Sequence, residues 1–389
     1  MKFNTVKLGE YLYIKGRIGW KGLKKKEYLE KSGFRIVNGE ALTENGIDWN
    51  KAGYISKERY DESPEIMLQQ DDILISKDGT IGKIGYVDSL DIPTTVASGI
   101  FVIRNQMPEI INTRFIYHFF NSKYFKNFII MRTEGSVIPH LYQKDFVDLD
   151  FPMPELRVQD KIVGILDAIN NKIKLNKSIN NNLEQQAQTI FKSWFIDFEA
   201  FSNRKPSDWS VSTLGNVSIM GAGGDKPQNV SPIKTDLYEY PIYSNGLSNE
   251  GLYGFTDKPK ISEESVTVSA RGTIGFVCLR HIPYVPIVRL VTLIPKTEII
   301  SAKYLYLWLK QLHITGTGTT QQQLTVPDFQ KTEILVPSQE IVTLFTTTVE
   351  PIFEKIWANQ NENEKLSSLR DTLLPKLMSG ELDVSNIDL

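Results

Sequence analysis

The chain has 389 residues, of which 41% are hydrophobic and 23% are charged, and this composition excludes disordered, collagen-like and fully coiled-coil proteins. At about 150 residues per domain, its length predicts two or three folding units. One cysteine and four scattered histidines exclude a disulfide framework and a Cys/His zinc site, and the formal net charge of −2 means that any DNA binding has to come from local basic patches.

The amino-terminal segment lacks the apolar core of a signal peptide. No later stretch has the ~18 uninterrupted apolar residues of a membrane span, so we expect a soluble, cytoplasmic protein with no membrane contact. The short basic segment Lys21–Lys26 is suited to phosphate contacts, with Lys21, Lys24 and Lys25 as candidate DNA contacts. A solvated run of charge is an equally good interpretation of this segment taken alone.

A strand followed by a glycine turn occurs twice. Ile73–Ser76 precedes the turn Gly79–Gly82, and Val266–Ser269 precedes the turn Gly272–Gly275, which repeats the same Gly-Thr-Ile-Gly sequence. An apolar run that enters a glycine pair predicts a strand and a tight turn. Because the pattern occurs in both halves, we expect a duplicated unit.

Two helices and a closing segment are duplicated as well. Thr113–Phe120 and Ala302–Leu309 share an apolar, aromatic pattern with a basic second residue, and each predicts a mostly buried helix. The residues matched next, at one constant offset of 183, are Leu141, Asp145, Phe146 and Pro154 with Leu324, Asp328, Phe329 and Pro337.

After each matched proline, seam positions advance by alternating steps of four and three, which is the period of a coiled coil. Both copies place asparagine at the same two interior positions of this seam. The first seam is Ile162, Leu166, Ile169, Ile173, Asn176, Asn180, Leu183, Ala187, Ile190 and Trp194. The second is Phe345, Val349, Ile352, Ile356, Asn359, Asn363, Leu366, Arg370, Leu373 and Leu377.

A helix of about 40 residues is roughly 60 Å long, which exceeds the radius of a typical domain, so the two helices are predicted to pair with each other. In an antiparallel pair with aligned centres, Asn176 lies opposite Asn363 and Asn180 lies opposite Asn359, which fixes the register at a cost in stability. A structural linker is the alternative interpretation of one seam alone, and the duplication disfavours it.

Further apolar residues lie off the seams and form a second face on each helix. This face predicts contact with the globular domains or docking of another protein, and docking is the slightly favoured interpretation. The residues are Val163, Leu175, Ile179, Phe191, Phe195, Ile341, Leu344, Trp357, Leu369 and Leu374.

Polar, glycine-containing loops, Gly135–His140 and Gly318–Gln323, precede the long helices. Arg and Lys match guanine edges and Gln matches adenine edges, so equivalent loops with different side chains suit two domains that read different sequences. The candidate DNA contacts in the turns and loops are Lys77, Lys83, Ser136, His140, Lys144, Arg271, Thr320, Gln321, Gln322 and Gln323. Ordinary turn chemistry, with Gly135 and Gly318 as helix stops, is the alternative.

Motifs for catalysis are absent from the sequence. The glycine-dense stretch Gly221–Gly224 is followed by Pro227 and by no helical pattern, so it makes a poor nucleotide cradle. No Walker loop and no Asp-Pro-Pro-Tyr tetrapeptide of an amino-methyltransferase occurs. His140 is close to Asp145 in sequence, but neither has an evident nucleophile, so a structural histidine is favoured. We expect no catalytic residue and no metal site in this chain.

The chain closely resembles, over nearly its whole length, the DNA specificity subunit of type I restriction-modification enzymes. The resemblance lies in the order in which the matching segments follow one another. These are the paired glycine turns, the segments Phe151–Leu156 and Leu335–Ser338 that close each half, the helix starts Gln159–Val163 and Glu340–Val342, and the final segment Leu373–Leu382. It implies an α+β fold with two α/β target recognition domains, each followed by a long helix, and the helices pair as an antiparallel coiled coil with pseudo-two-fold symmetry. The implied bounds are 1–154, recognition domain 1; 155–200, spacer helix 1; 201–337, recognition domain 2; 338–385, spacer helix 2; and 386–389, tail.

The same resemblance implies a non-catalytic subunit whose two domains each read half of a bipartite double-stranded DNA target. It implies two methylation subunits, which bind S-adenosylmethionine, and restriction subunits, which use ATP and magnesium, while this chain holds no cofactor. Two other classes stay open. One is a stand-alone scaffold protein, and the other is a fused methyltransferase, which the missing cofactor and target-base motifs disfavour.

Overall fold

The computed structural model describes residues 3–18, 22–43, 46–133, 140–316, 322–385 and 387. These residues form two compact units of mixed helix and sheet. Unit 1 comprises Met1–Leu175 and Glu362–Leu389, and unit 2 comprises Asn176–Asn361. Among the described residues, every helix is too short or too polar to traverse a lipid bilayer.

The eleven strands described in unit 1 lie in four small sheets. The strands are β1 (Asn4–Lys7), β2 (Leu12–Gly16), β3 (Arg35–Val37), β4 (Leu42–Thr43), β5 (Gly46–Ile47), β6 (Gly53–Tyr54), β7 (Ile73–Ser76), β8 (Ile84–Tyr86), β9 (Thr94–Val96), β10 (Ile100–Asn105) and β11 (Asp150–Met153). The helices that begin in this unit are α1 (Lys57–Asp61), α2 (Thr113–Phe120), α3 (Lys123–Thr133) and α4 (Leu156–Phe195).

Unit 2 has nine strands among its described residues. Its strands are β12 (Ser210–Thr213), β13 (Ser218–Ala222), β14 (Tyr240–Tyr243), β15 (Leu252–Thr256), β16 (Ser265–Val268), β17 (Val277–Arg280), β18 (Val285–Pro286), β19 (Val291–Pro295) and β20 (Glu333–Val336). Its helices are α5 (Leu214–Val217), α6 (Ala302–Gln311), α7 (Val326–Phe329) and α8 (Gln339–Ser379).

The sheet topologies of the two units correspond except for the two-stranded sheet β4-β5, which among the described residues occurs in unit 1 alone. The four-stranded antiparallel sheet has the order β2-β10-β7-β8 in unit 1 and β13-β19-β16-β17 in unit 2. Each unit also has a three-stranded sheet with one antiparallel and one parallel pair, β6-β3-β9 and β15-β14-β18. The pairs β1-β11 and β12-β20 complete the correspondence, which confirms the duplicated fold that the repeats predict.

The strands predicted before the two glycine turns and the two predicted apolar, aromatic helices are present as β7, β16, α2 and α6. All four residues of β7 and of β16 are buried, as expected for central strands of a covered sheet. Helix α2 begins where the side chain of Asn112 accepts a hydrogen bond from the Arg114 N–H, and helix α6 begins where Ser301 accepts one from the Tyr304 N–H. Both helices bury most of their apolar residues, as their sequence pattern predicts.

The long helices α4 and α8 are each continuous over about the predicted length. Helix α4 ends at Phe195, five residues before the predicted limit of 200, because Phe198 and Ser202 adopt left-handed backbone conformations (φ 57° and 56°) that no helix continues. Helix α8 ends at Ser379, because Gly380 takes φ 73°. In both helices every seam position is buried or half-buried.

Within each unit, the segments of α4 and α8 run antiparallel. In unit 1, Arg370 Nη1 donates to Asn170 Oδ1 at 3.3 Å, and Lys172 forms an ion pair with Glu362 at 3.4 Å. In unit 2, Asn359 Nδ2 donates to Asn180 Oδ1 at 2.8 Å. The pairing of Asn176 with Asn363 stays a prediction.

The off-seam apolar residues mostly serve the unit cores. Val163, Phe191, Phe195 and Leu374 are buried, and Ile179, Ile341 and Trp357 are half-buried. The aromatic rings of Phe191, Phe195 and Phe345 pack with Tyr304 of α6 in the core of unit 2. Contact with the globular part of each unit therefore accounts for most of this second face. Leu175, Leu344 and Leu369 stay about half exposed, and docking of another protein stays a prediction for them.

Candidate nucleic-acid interface

The two Gly-Thr-Ile-Gly turns have the same backbone geometry. Gly79 and Gly82 have φ angles of 67° and 87°, and Gly272 and Gly275 have φ angles of 68° and 84°. These left-handed values favour glycine, which has no Cβ to clash with the backbone. In each turn the second glycine N–H donates to the carbonyl of the serine before the turn, at 2.9 Å in unit 1 and 3.0 Å in unit 2.

A second backbone contact joins each turn to the loop that follows the domain helices. The Leu141 N–H donates to the Lys77 carbonyl at 3.1 Å, and the Leu324 N–H donates to the Ala270 carbonyl at 3.0 Å. We call this contact and its flanking side chains the junction, residues 77–78 with 140–141 in unit 1 and residues 270–271 with 323–324 in unit 2. The junction places one residue from the turn beside one residue from the distant loop.

In unit 1 these neighbours are Asp78 and His140. The imidazole Nδ1 of His140 is hydrogen-bonded to Oδ1 of Asp78, and Lys77 Nζ is 2.9 Å from the other carboxylate oxygen. Lys77 also lies over the ring of Phe101, with Nζ 5.6 Å from the ring centroid. His140 is close to Asp145 in sequence only, because the carboxylate of Asp145 accepts from the Tyr142 N–H instead.

In unit 2 the neighbours are Arg271 and Gln323. Nε and Nη2 of Arg271 both donate to Oε1 of Gln323, at 3.1 Å and 2.8 Å. The N–H of Ala270, the residue before Arg271, donates to Oδ1 of Asn245 at 2.7 Å. Asn245 fixes the backbone next to Arg271, and the side-chain amide of Gln323 binds its guanidinium. The exposed guanidinium of Arg271 therefore has a defined direction.

An open cleft of about 430 Å³ adjoins the junction of unit 1. His140 and Lys77 line it, and its remaining lining residues are Lys15, Gly16, Arg17, Ile18, Glu65, Phe101, Tyr142 and Gln143. Three of the lining residues are cations and one is a carboxylate, so the cleft favours an anionic ligand.

Arg17 is the buried cation of this cleft, with 3% of its surface exposed. Its guanidinium donates to the Val96 carbonyl at 3.1 Å, and to Ser63 Oγ and Thr95 Oγ1 at 3.4 and 3.5 Å, all neutral partners. Burial, followed by the charge of nearby Arg59, lowers the pKa of Arg17 below its ordinary value. A guanidinium held by neutral groups attracts a phosphate more strongly than one paired with a carboxylate.

The other candidate contacts lie in several places. Lys24 and Lys25 are exposed at a short turn, where the Lys24 N–H donates to the Glu27 carboxylate at 2.7 Å. Lys83 Nζ reaches the Gly39 carbonyl at 3.4 Å, and Lys144 lies over the ring of Tyr142. Gln322 is exposed. Lys21, Ser136, Thr320 and Gln321 lie outside the described residues.

Sequence reasoning missed two residues of this region. Asp78 is the positional equivalent of Arg271, because each directly precedes the first glycine of its turn, and comparing the aligned repeats residue by residue would have found it. The sequence pattern around Arg17 does not indicate its place in the cleft, because its burial depends on the three-stranded sheet that contributes Thr95 and Val96.

In the described part of the chain, no group of three or more His, Cys, Asp or Glu side chains could hold a metal ion. The lone thiol, Cys278, is buried, and this burial raises its pKa to about 12, which makes it a poor nucleophile.

Comparison with known proteins agrees with the duplicated fold. A family model described as the type I restriction modification DNA specificity domain matches residues 2–185 and 206–367. The chain is 27% identical over 343 residues to the MjaIX type I restriction enzyme specificity subunit of Methanocaldococcus jannaschii, which covers 78% of this chain and 76% of that protein. It is 26% identical over 389 residues to the HindI specificity subunit of Haemophilus influenzae, covering 77% of this chain and 84% of that one.

A crystal structure of a type I restriction-modification S subunit from M. genitalium matches 98% of this chain and 97% of its own, with a TM-score of 0.58 at 17% sequence identity. At that identity the likeness concerns the fold alone. The family model matches both halves of the chain, each with its own glycine turn and junction. The chain therefore belongs to the family of type I restriction modification DNA specificity domains.

Proposed function

We propose that this chain is the DNA sequence-specificity subunit of a type I restriction-modification complex, in which each unit reads one half of a bipartite target. The chain supplies recognition, and partner subunits carry out the chemistry. One observation supports this proposal above the others. The two units share sheet topology, glycine turns and junction backbone, and they differ in the side chains that the junction presents.

That combination is what two readers of different sequences require. A shared backbone presents side chains to DNA in the same way in both units, and the exchanged side chains change the base that each contacts. A scaffold protein would have no such reason to keep the turn and alter its polar neighbours.

We divide the basic and polar residues of each unit into those that position the protein on the DNA backbone and those that contact bases. We assign Lys24, Lys25, Lys83 and Lys144 to phosphate contacts, because a lysine that contacts the DNA backbone positions a protein without choosing a sequence. Lys77 and Arg17 add positive charge at the cleft of unit 1. Gln322, together with Lys21, Ser136, Thr320 and Gln321, completes the proposed DNA-facing set, and the junction residues Arg271, Gln323 and His140 read bases.

The long helices are proposed to set the gap between the half-sites. Helix α4 contributes Leu156–Leu175 to unit 1 and Asn176–Phe195 to unit 2, and α8 likewise contributes to both. Paired seams make a stiff connection, since a bent or slipped pair would expose apolar residues. The amide pair of the half-buried Asn180 and the buried Asn359 is proposed to fix the register, with Asn176 and Asn363 as the second pair.

The partners proposed are two methylation subunits, which bind S-adenosylmethionine, and restriction subunits, which use ATP and magnesium. The exposed Leu175, Leu344 and Leu369 on α4 and α8 support docking of the methylation subunits to the helices. Co-purification with a methyltransferase, together with no methylation by the chain alone, is the expected result. Methylation of DNA by the purified chain would contradict it.

Selection from a random duplex library tests the reading function directly. The full-length chain, with its methylation subunits when these co-purify, is expected to retain duplexes with two short specified sequences separated by a fixed unspecified gap. Binding should weaken steeply as salt rises, because phosphate contacts release counterions. A single contiguous site, or no enrichment at all, would contradict the proposal.

A further inference from the structure

We infer that the junction pair chooses one base in each half-site, so that Asp78 and His140 read a base amino group while Arg271 and Gln323 read a guanine. This inference rests on the proposed function, because it requires each unit to contact DNA. It adds the chemical identity of the base read and the residues that choose it.

The first step is that the two pairs occupy the same positions. Asp78 and Arg271 each precede the first glycine of the turn, and His140 and Gln323 each precede the leucine whose N–H binds the turn backbone. The two leucine hydrogen bonds differ by only 0.1 Å, at 3.1 and 3.0 Å. The chemistry of the pair therefore changes while its backbone support stays the same.

The second step concerns what unit 2 presents. Gln323 Oε1 accepts from Nε and Nη2 of Arg271, which leaves the Nη1 hydrogens and one Nη2 hydrogen without a hydrogen bond to a described residue. These hydrogens form the end-on fork of the guanidinium. Two parallel donors of this kind match the O6 and N7 acceptors of guanine in the major groove, and match no other base edge as well.

The third step concerns what unit 1 presents. Both oxygens of Asp78 are engaged, one by Nδ1 of His140 and the other by Lys77 Nζ at 2.9 Å. In the tautomer whose Nδ1–H donates to the carboxylate, the imidazole has its lone pair on Nε2. A lone-pair acceptor matches the exocyclic amino group of adenine or cytosine and is repelled by the acceptor edge of guanine.

The fourth step is access. The side chain of His140 is 28% exposed and lines the open cleft, and Arg271 is exposed. Tyr142 lies against the His140 ring, with 4.4 Å between centroids, and limits its rotation. Both pairs can therefore reach a base edge, and both are held in one direction by a neighbour.

The experiment compares base preferences of the wild-type full-length chain with Arg271→Ala, Arg271→Lys and His140→Ala by selection from a random duplex library. Arg271→Ala is expected to lower the preference for one guanine about tenfold in one half-site and to leave the other half unchanged. Arg271→Lys, which keeps the charge and loses the fork, should restore affinity more than it restores the guanine preference.

His140→Ala is expected to relax one adenine or cytosine in the other half-site by a similar factor. The matched control is Lys331→Ala, an exposed cation of unit 2, which can change affinity and should change no base preference. A gain-of-function variant completes the set. Asp78→Arg with His140→Gln places the unit 2 pair on the unit 1 backbone and should create a guanine preference in that half.

The outcomes separate the two proposals. If the wild-type chain selects no bipartite sequence, the proposed function fails. If it selects one and Arg271→Ala and His140→Ala keep the wild-type base preferences, this inference is overturned while the function stands. Equal relaxation of both halves by one variant would also overturn it, because the pairs would then not read independently.

Discussion

Asn359 donates its side-chain amide to the side-chain carbonyl of Asn180 at 2.8 Å, within the apolar seam between α4 and α8 in unit 2. The amide of Asn180 in turn donates to the main-chain carbonyl of Ile356 at 3.1 Å. One hydrogen bond thus joins two polar side chains in a seam where leucine would pack well. Such pairs cost stability and favour one alignment of two helices over its shifted alternatives.

Replacing one member of this pair should destabilise the protein more than replacing both. Asn359→Ala leaves the carbonyl of the half-buried Asn180 without this partner and is expected to cost about 1 kcal/mol of unfolding free energy. The double variant Asn180→Leu with Asn359→Leu should be as stable as wild type or more stable. Urea unfolding of the three proteins measures the difference. A double variant less stable than Asn359→Ala would contradict the claim that the pair costs stability relative to an apolar seam.

The basic second residue of α6 is expected to matter more for stability than its counterpart on α2. Lys303 is 4% exposed and bridges Glu264 at 2.8 Å and Glu350 of α8 at 3.0 Å. Lys303→Met leaves two carboxylates facing each other, so a loss of about 2 kcal/mol is expected, reduced from a fully buried pair because both glutamates touch solvent.

Arg114 of α2 provides the matched comparison. It pairs with Asp88 and with Asp167 of α4, but its side chain is 39% exposed. Because solvent screens an exposed ion pair, Arg114→Met should cost under about 1 kcal/mol. Chemical unfolding of both variants checks the order, and a larger loss for Arg114→Met would show that burial does not set the cost.

The two glycines of one turn should respond differently to alanine. A Cβ at Gly275, where φ is +84°, would stand 2.9 Å from the Ile314 carbonyl oxygen, whereas a Cβ at Gly272 would meet nothing within 4 Å. Gly272→Ala is therefore expected to lower the free energy of unfolding by about 1 kcal/mol, because only its left-handed backbone is unfavourable for alanine. Gly275→Ala is expected to lower it by about 3 kcal/mol. Thermal unfolding measures both. Equal losses would mean that the turn relaxes around the added methyl group.

His281 predicts a pH dependence of stability in unit 2. Its ring stacks on Trp357, with 4.1 Å between centroids, and burial together with the charges of Lys303 and Arg280 lowers its pKa to about 4. Since an unfolded histidine has a pKa of about 6.5, the unfolded state binds a proton between pH 6.5 and 4 that the folded state does not. Stability should therefore fall as pH decreases through this window.

The variant His281→Phe keeps an aromatic ring on Trp357 and removes the titration. The stability difference between it and wild type should grow by about 1 kcal/mol as pH falls from 7 to 4.5, a value reduced because His281 keeps solvent contact. Urea unfolding at several pH values provides the comparison. A difference that does not change with pH would exclude His281 as the source.

The sequence predicts elements with a strong period better than contacts between distant residues. The heptad steps predict a seam whose positions are all buried or half-buried, and the repeat predicts β7, β16, α2 and α6, because local pattern determines these elements. The offset between copies also brings Asn180 opposite Asn359.

Contacts that depend on the fold are harder to predict. His140 pairs with Asp78, which is 62 residues away in sequence, although Asp145 is nearer along the chain. The burial of Lys303 likewise requires one acid from the segment just before β16 and one from α8, which no local pattern reveals. The off-seam residues Phe191 and Phe195 are buried by the globular part of unit 2 rather than left on a docking face, since packing against Tyr304 covers them.

The most direct test of the account lengthens the proposed spacer without disturbing its seam. Seven residues inserted after Lys177 of α4 and seven after Asn361 of α8 preserve the heptad period and add about 10 Å, the rise of about three base pairs. Library selection with the lengthened chain is expected to return the wild-type half-sites with the gap increased by about three base pairs. The same half-sites with an unchanged gap would contradict the claim that the paired helices set the spacing.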